Sequence, residues 1–510
     1  MSYQDLLQRL GAINDVLTSS SVLVWDSRTM MPPQGVTVRG QQIATLSTVA
    51  AEMLMAEETG RLLDAADRAT AHLSDDAAER RGIAQTRAGI ELHRRIPSAL
   101  RHRQSVLRAT AQAAWIEARA RSDFAMFEPY LEESVALARQ LADAIGWSAA
   151  PYDALIGLPE PGETTASLRM LFGRIRAGIA PLLRAISAAP APRTDFLHAD
   201  YPVELQHGFA LHLAQTIGYD LKRGRLDPTV HPFEISFTRD DVRITTRYPR
   251  DFLPASLFGT LHETGHALYE QGVDPAYSRG PLATDFGNLY AVGGVSFGAH
   301  ESQSRLWENH VGRSRDFWAL HYGALRDRFP EQLAGVDDET FHRAVNSVRP
   351  GLIRVEADEL TYDFHIMLRV EIESQLLDGT LKVKDLPAAW NEAIKRDLGL
   401  DVPDDRRGVL QDIHWSTGYI GTFCTYTIGN VMAAQLMASA RQQLSGLERS
   451  LAGGNYAPLL GWLRDNVHQH GRRFSRNELL VRASGRSLDP EPYIDYLTRK
   501  YTALYGVLSV

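Results

Sequence analysis

Apolar residues recur at three- and four-residue spacing through most of the first 185 positions. Stretches such as YQDLLQRLGAINDVLTSSSVLVWD (3–26) and FEPYLEESVALARQLADAIGW (127–147) predict one amphipathic helix after another. Three prolines and small residues in ISAAPAPRTDFLHADYP (186–202) interrupt the pattern, and helical spacing resumes with VELQHGFALHLAQTIGYDL. The period then changes once. In HPFEISFTRDDVRITTRY (231–248), Phe233, Ile235 and Phe237 alternate with polar residues, and Val242 and Ile244 do so after a polar turn at Asp240–Asp241. That alternation predicts a β-hairpin. From Pro254 onward helices dominate again. The expected fold class is mainly α: one body over 1–510, with a groove between approximate halves 1–200 and 201–510.

Composition narrows the function classes. The 510 residues are 44% hydrophobic and 23% charged, as in ordinary globular proteins. A net charge of −8 argues against nucleic acid as a main partner, since phosphate binding needs a basic surface. The single cysteine, Cys424, cannot close an internal disulfide, which favours a reducing compartment. The opening residues lack a cationic and apolar leader pattern, and no run reaches about 18 apolar residues. A soluble cytoplasmic protein, not a membrane protein, is the expectation.

Within GTLHETGHALYEQG (259–272), two histidines stand four apart with a glutamate after the first. On a helix predicted over 254–272, His262 and His266 project from one face, close enough to bind one ion. Glu263 points about 100° away, unsuited to the same ligand set but suited to act as a base on a water beside the metal. A catalytic zinc takes three protein ligands and leaves one position open. No third histidine follows soon after, so the third ligand is expected to be a carboxylate from a later helix. Glu301, in a helix predicted over 296–311, is the first candidate. Glu270, one turn beyond His266 on the same helix, competes with poorer geometry. A chance match of this short motif is the alternative reading.

With Glu301 in HESQ, the chain resembles the carboxypeptidase Taq family of metallocarboxypeptidases. The resemblance rests on an ordered set of motifs: DVRIT (Asp241, Arg243, Thr245), IRVEAD (Ile353, Arg354, Ala357, Asp358) and GVLQDIHW (Gly408, Gln411, Asp412, His414, Trp415). VWDSRTMMPP, AAWIEARARSDFAMFEPYL and PYDALIGLPEPG extend it upstream. The resemblance implies an elongated helical body with a deep groove, similar to angiotensin-converting enzyme and the thimet oligopeptidase group. It also implies a small sheet beside the metal helix, a homodimer, and one Zn2+ per chain that Co2+ can replace. The implied activity is release of single residues from peptides with a free C-terminus, with broad side-chain tolerance.

On that reading Glu263 is the general base, and His414 and Tyr426 are the oxyanion donors the resemblance implies. The chain departs from the family at GTFCTY (421–426), where Thr422 and Cys424 replace a usual tyrosine and proline; Tyr419 either compensates or simply packs. Cys424 reads as a small buried residue. A carboxypeptidase needs a cation for the terminal carboxylate, and arginine binds one through a planar fork. Arg354 is the first choice, against a structural pair with Glu356 or Asp358; Arg349 is the runner-up. Arg243 is a substrate-side candidate or a residue that only holds the sheet. Related zinc peptidases place a carboxylate four residues after the third ligand to orient the first histidine, but here that position is Arg305. Two other readings compete: an oligoendopeptidase with an open-ended groove, and a non-catalytic helical interaction protein.

Overall fold

The computed structural model describes residues 2–507. The chain forms two compact units, each drawn from three separate stretches. One comprises Met1–Arg94, Pro192–Val345 and Met432–Asp489; the other comprises Arg95–Ala191, Asn346–Val431 and Pro490–Val510. Helices dominate both, as the periodicity implies. Among the described residues, no helix is long and apolar enough to cross a membrane.

The first helix, Tyr3–Thr29, starts at a reciprocal cap: Ser2 N–H donates to the Asp5 carboxylate, and Asp5 N–H to the Ser2 hydroxyl. Leu6, Leu10, Ile13 and Leu17, spaced four, three and four apart, are buried against Ala50, Leu54, Leu63 and Ile83 of the next helices. Each such side chain contributes roughly 1.5–3 kcal/mol when fully buried. A larger core lies around the helix Leu253–Gly272, where Leu253, Leu257, Leu261 and Leu268 meet Trp307, Trp318, Met432 and Leu436.

The hairpin forms as expected, from β2 (Glu234–Thr238) and β3 (Asp241–Thr246), but the sheet has a third strand, β1 (Leu226–Pro228). The order is β1-β3-β2, with β1 parallel and β2 antiparallel to the central β3. Leu226 and Glu234 both register with Ile244. Val242 and Ile244 lie on the face that joins Ala267 of the motif helix in one small core. The sheet therefore fixes the azimuth of that helix, and with it the direction of the histidines.

Gly265, which removes side-chain bulk between the two histidines, also sets how closely a second helix approaches. A Cβ there would lie 2.5 Å from Ser304 Cα and 2.8 Å from the Gln303 carbonyl carbon. Only glycine lets the helix Phe297–Arg305 approach this closely.

Candidate metal centre and substrate-side residues

Helical spacing and the close approach at Gly265 thus bring three side chains together. His262 Nε2 lies 3.6 Å from Glu301 Oε2, and His266 Nε2 lies 3.4 Å from the same oxygen. Ligand bonds of about 2.0–2.1 Å at tetrahedral angles separate two donor atoms by about 3.4 Å. The donor spacing therefore fits one small divalent ion. Glu270, the competing ligand, is committed elsewhere: its carboxylate accepts the Gly293 and Gly294 N–H groups at 2.8 and 3.0 Å and the His300 Nε2–H at 3.0 Å.

Hydrogen bonds behind the imidazoles direct their lone pairs. His262 Nδ1 contacts Glu308 Oε2 at 2.9 Å, so Nδ1 carries the proton and Nε2 is left to bind metal. His266 Nδ1 contacts His300 Nδ1, and His300 passes the chain to Glu270. Both supports escape the sequence pattern. Glu308 comes seven residues after Glu301, on a π-helical segment, Leu306–Gly312, that follows directly from the third-ligand helix. His300 is visible in the sequence only as the neighbour of a ligand.

Arg305, where a carboxylate was expected, donates Nε to Glu301 Oε1 at 2.7 Å. That leaves Oε2 for the imidazoles. Burial opposes ionisation of Glu301, yet Arg305 and the two histidines hold its carboxyl well below the usual range. Glu308 is also buried; the His262 hydrogen bond, Arg305 and Arg313 bring it down to about 2. Glu263, beside the triad, is pushed up to about 7 by burial, with Glu301 and Glu308 adding to the rise. His262 and a hydrogen bond from the Glu234 N–H work the other way.

The remaining predicted residues fall into separate settings. His414, Tyr426 and Arg354 belong to the second unit. His414 Nε2 lies 3.4 Å from Tyr426 OH, and burial drives the imidazole down to about 4, so it is neutral. Arg354 pairs with neither Glu356 nor Asp358; its partner is Asp412, 58 residues on, at 2.9 Å. Arg349 is exposed, and its backbone N–H donates to Asp358. Arg243 grips Asp241 through Nε and Nη2, both at 2.8 Å, with its guanidinium 4.4 Å from the Trp25 ring centre. Cys424 is fully buried. Thr422 Oγ1 has no hydrogen-bond partner among the described residues, while Tyr419 stays 40% exposed with Arg108 over its ring.

A helical body presenting two imidazoles and one carboxylate beside a buried glutamate has the donor set of a metal-dependent hydrolase. The chain belongs to the carboxypeptidase Taq (M32) metallopeptidase family, whose model matches residues 5–501. It is 41% identical to thermostable carboxypeptidase 1 of Thermus thermophilus over 99% of both chains. Carboxypeptidase 1 of Bacillus subtilis is 37% identical, over 98% of this chain and 97% of its own. Among solved structures, the M32 carboxypeptidase of Deinococcus radiodurans R1 superposes with a TM-score of 0.94 at 42% identity, over 99% of each chain. The protein is thus a metallocarboxypeptidase, a peptide hydrolase.

Proposed function

We propose that the protein removes single C-terminal residues from peptides, with broad side-chain tolerance, using one zinc ion per chain, or cobalt in its place, held by His262, His266 and Glu301. The observation that carries this reading is the convergence of His262 Nε2 and His266 Nε2 on Glu301 Oε2 at 3.6 and 3.4 Å, with Glu263 next to them. When bound, the ion supplies Lewis-acid polarisation of the scissile carbonyl. Glu308 and His300 hold the two imidazoles in the tautomers that binding requires. Arg305 keeps the Glu301 carboxylate oriented and charged.

Glu263 takes the proton of the attacking water and returns it to the leaving amine. His414 and Tyr426 donate hydrogen bonds to the developing oxyanion, a task that suits a neutral imidazole and a phenol. Arg354 takes the substrate's terminal carboxylate. Arg349 is the second choice for that task because its exposed side chain lacks a comparable setting. Arg243, fixed by Asp241 on its own strand, packs its guanidinium over Phe237 of β2 and Trp25 of the first helix and so holds the sheet. A homodimer in a reducing cytoplasm completes the reading; the lone buried cysteine supports the compartment.

N-blocked dipeptides, as free acids and as C-terminal amides, test this directly. Cleavage of the acid alone is expected; equal cleavage of both forms would instead favour an oligoendopeptidase. Glu263→Gln is expected to lower kcat by about 10²–10⁴ while retaining stoichiometric metal. Full activity in that variant would overturn the assignment of the base.

A further inference from the structure

Arg369 lies within the helix Tyr362–Asp378 with 0% of its surface exposed, an exceptional position for an arginine. Its Nε and Nη2 both donate to Asp412 Oδ2, Nε at 2.7 Å, and Nη1 donates to the His365 carbonyl at 2.7 Å. The guanidinium stands 4.6 Å from the Trp390 ring centre. The other oxygen of the same carboxylate belongs to Arg354, whose Nε and Nη2 are each 2.9 Å from Oδ1. Arg354 also donates Nη1 to Tyr362 OH at 3.1 Å, and the Gln411 side chain accepts its backbone N–H at 2.9 Å. Arg354 keeps 7% of its surface exposed. Of the two arginines, only Arg354 can meet a molecule arriving from outside.

One carboxylate thus serves two guanidiniums. Arginine does not release its proton inside proteins, so the three groups carry a net charge of +1. Among the described residues no other acid is paired with either guanidinium. Glu373, four residues on along the same helix, accepts from Tyr152 OH at 2.6 Å, Trp415 Nε1 at 2.8 Å and Gly421 N–H at 2.9 Å; burial pushes it up to about 7, so near neutral pH it offsets the surplus only in part. A buried charge without full compensation is unfavourable. A cluster needed only to tie Asp412 to the helix would do so with one arginine and no excess charge. The surplus is useful only if an anion arrives to balance it.

We propose that Arg369 is a positioning residue for the substrate's terminal carboxylate. It never touches the peptide, but it shares Asp412 and so leaves the Arg354 guanidinium with unspent positive charge. Without Arg369, Asp412 neutralises Arg354 and the receptor loses its attraction for an anion. The inference rests on the reading that Arg354 binds the terminal carboxylate.

The test measures KM and kcat for an N-blocked dipeptide free acid in the metal-loaded full-length enzyme. Arg354→Gln is expected to raise KM by about 10–100-fold. Arg369→Gln is expected to raise KM about tenfold, with kcat within about threefold, since a mild loss of one binding contact leaves the transition state nearly as well served. The double variant Arg369→Gln with Asp412→Asn restores a single unpaired guanidinium, so its KM returns towards the wild-type value. A merely structural role for Arg369 gives no such rescue, and a double variant as poor as the single one overturns the proposal. An unchanged KM in Arg369→Gln does the same when Arg354→Gln has raised it. An unchanged KM in Arg354→Gln removes the underlying reading, and the inference falls with it. Should Arg369→Gln fail to fold, Asp412→Asn alone decides: a fall in KM supports the charge argument and a rise refutes it.

Discussion

At the scale of single residues, Glu308 illustrates what sequence reading reaches and what it misses. The candidate ligands His262, His266 and Glu301 and the neighbouring Glu263 are legible because helical spacing alone brings the first two together and a motif marks the third. Glu308 carries no local mark; its value appears only when the chain beyond Arg305 turns its carboxylate onto His262 at 2.9 Å. The structural pair that spacing offers as the alternative role of Arg354 fails for a similar reason. Glu356 and Asp358 are near in sequence, while Asp412 is near in space. We predict that Glu308→Gln weakens metal binding by about 10–100-fold, the usual effect of removing support behind a ligating imidazole. Competition with a chromogenic chelator measures this, and an unchanged affinity would show that His262 is oriented by other contacts.

Elements were legible in proportion to their length and regularity. The predicted helix over 254–272 appears as Leu253–Gly272, and the hairpin over 231–248 appears as β2 and β3. Strand β1 was missed because three residues ending in Pro228 are too few to show an alternation. The helix expected over 296–311 appears as Phe297–Arg305 followed by the π-helical stretch, a change of winding that spacing cannot reveal. Contact between elements was the least visible of all. In the sequence Gly265 reads only as removing side-chain bulk between the two histidines, yet it governs how closely the helices bearing the candidate ligands approach. Gly265→Ala should separate them and lower stability by about 1–3 kcal/mol, as overpacking does. Chemical denaturation of the metal-free protein measures the loss. The variant should also bind metal more weakly, because Glu301 moves with its helix.

For the whole molecule, proton uptake links buried groups to folding. The His365 imidazole is driven down to about 3, first by burial and then by the charges of Arg369 and Arg354. Folded protein therefore holds it neutral, while unfolded chain protonates it below about 6.5. The unfolded state binds the extra proton between these values, so the fold loses stability as pH falls through that window. Between pH 7 and pH 5, wild type should lose up to about 2 kcal/mol relative to His365→Phe. Urea midpoints at both pH values test the sign, and a gap that stays constant would contradict it.

The order in which the chain visits its two compact units has a consequence for biosynthesis. The unit that carries the candidate metal ligands finishes with Met432–Asp489, and the other with Pro490–Val510. A ribosome releasing residues from the N-terminus exposes Leu6, Leu10 and the motif helix long before their last packing partners exist. No single cut leaves either unit entire, and the unit that holds His262, His266 and Glu301 cannot be completed on the ribosome before residues 432–489 have emerged.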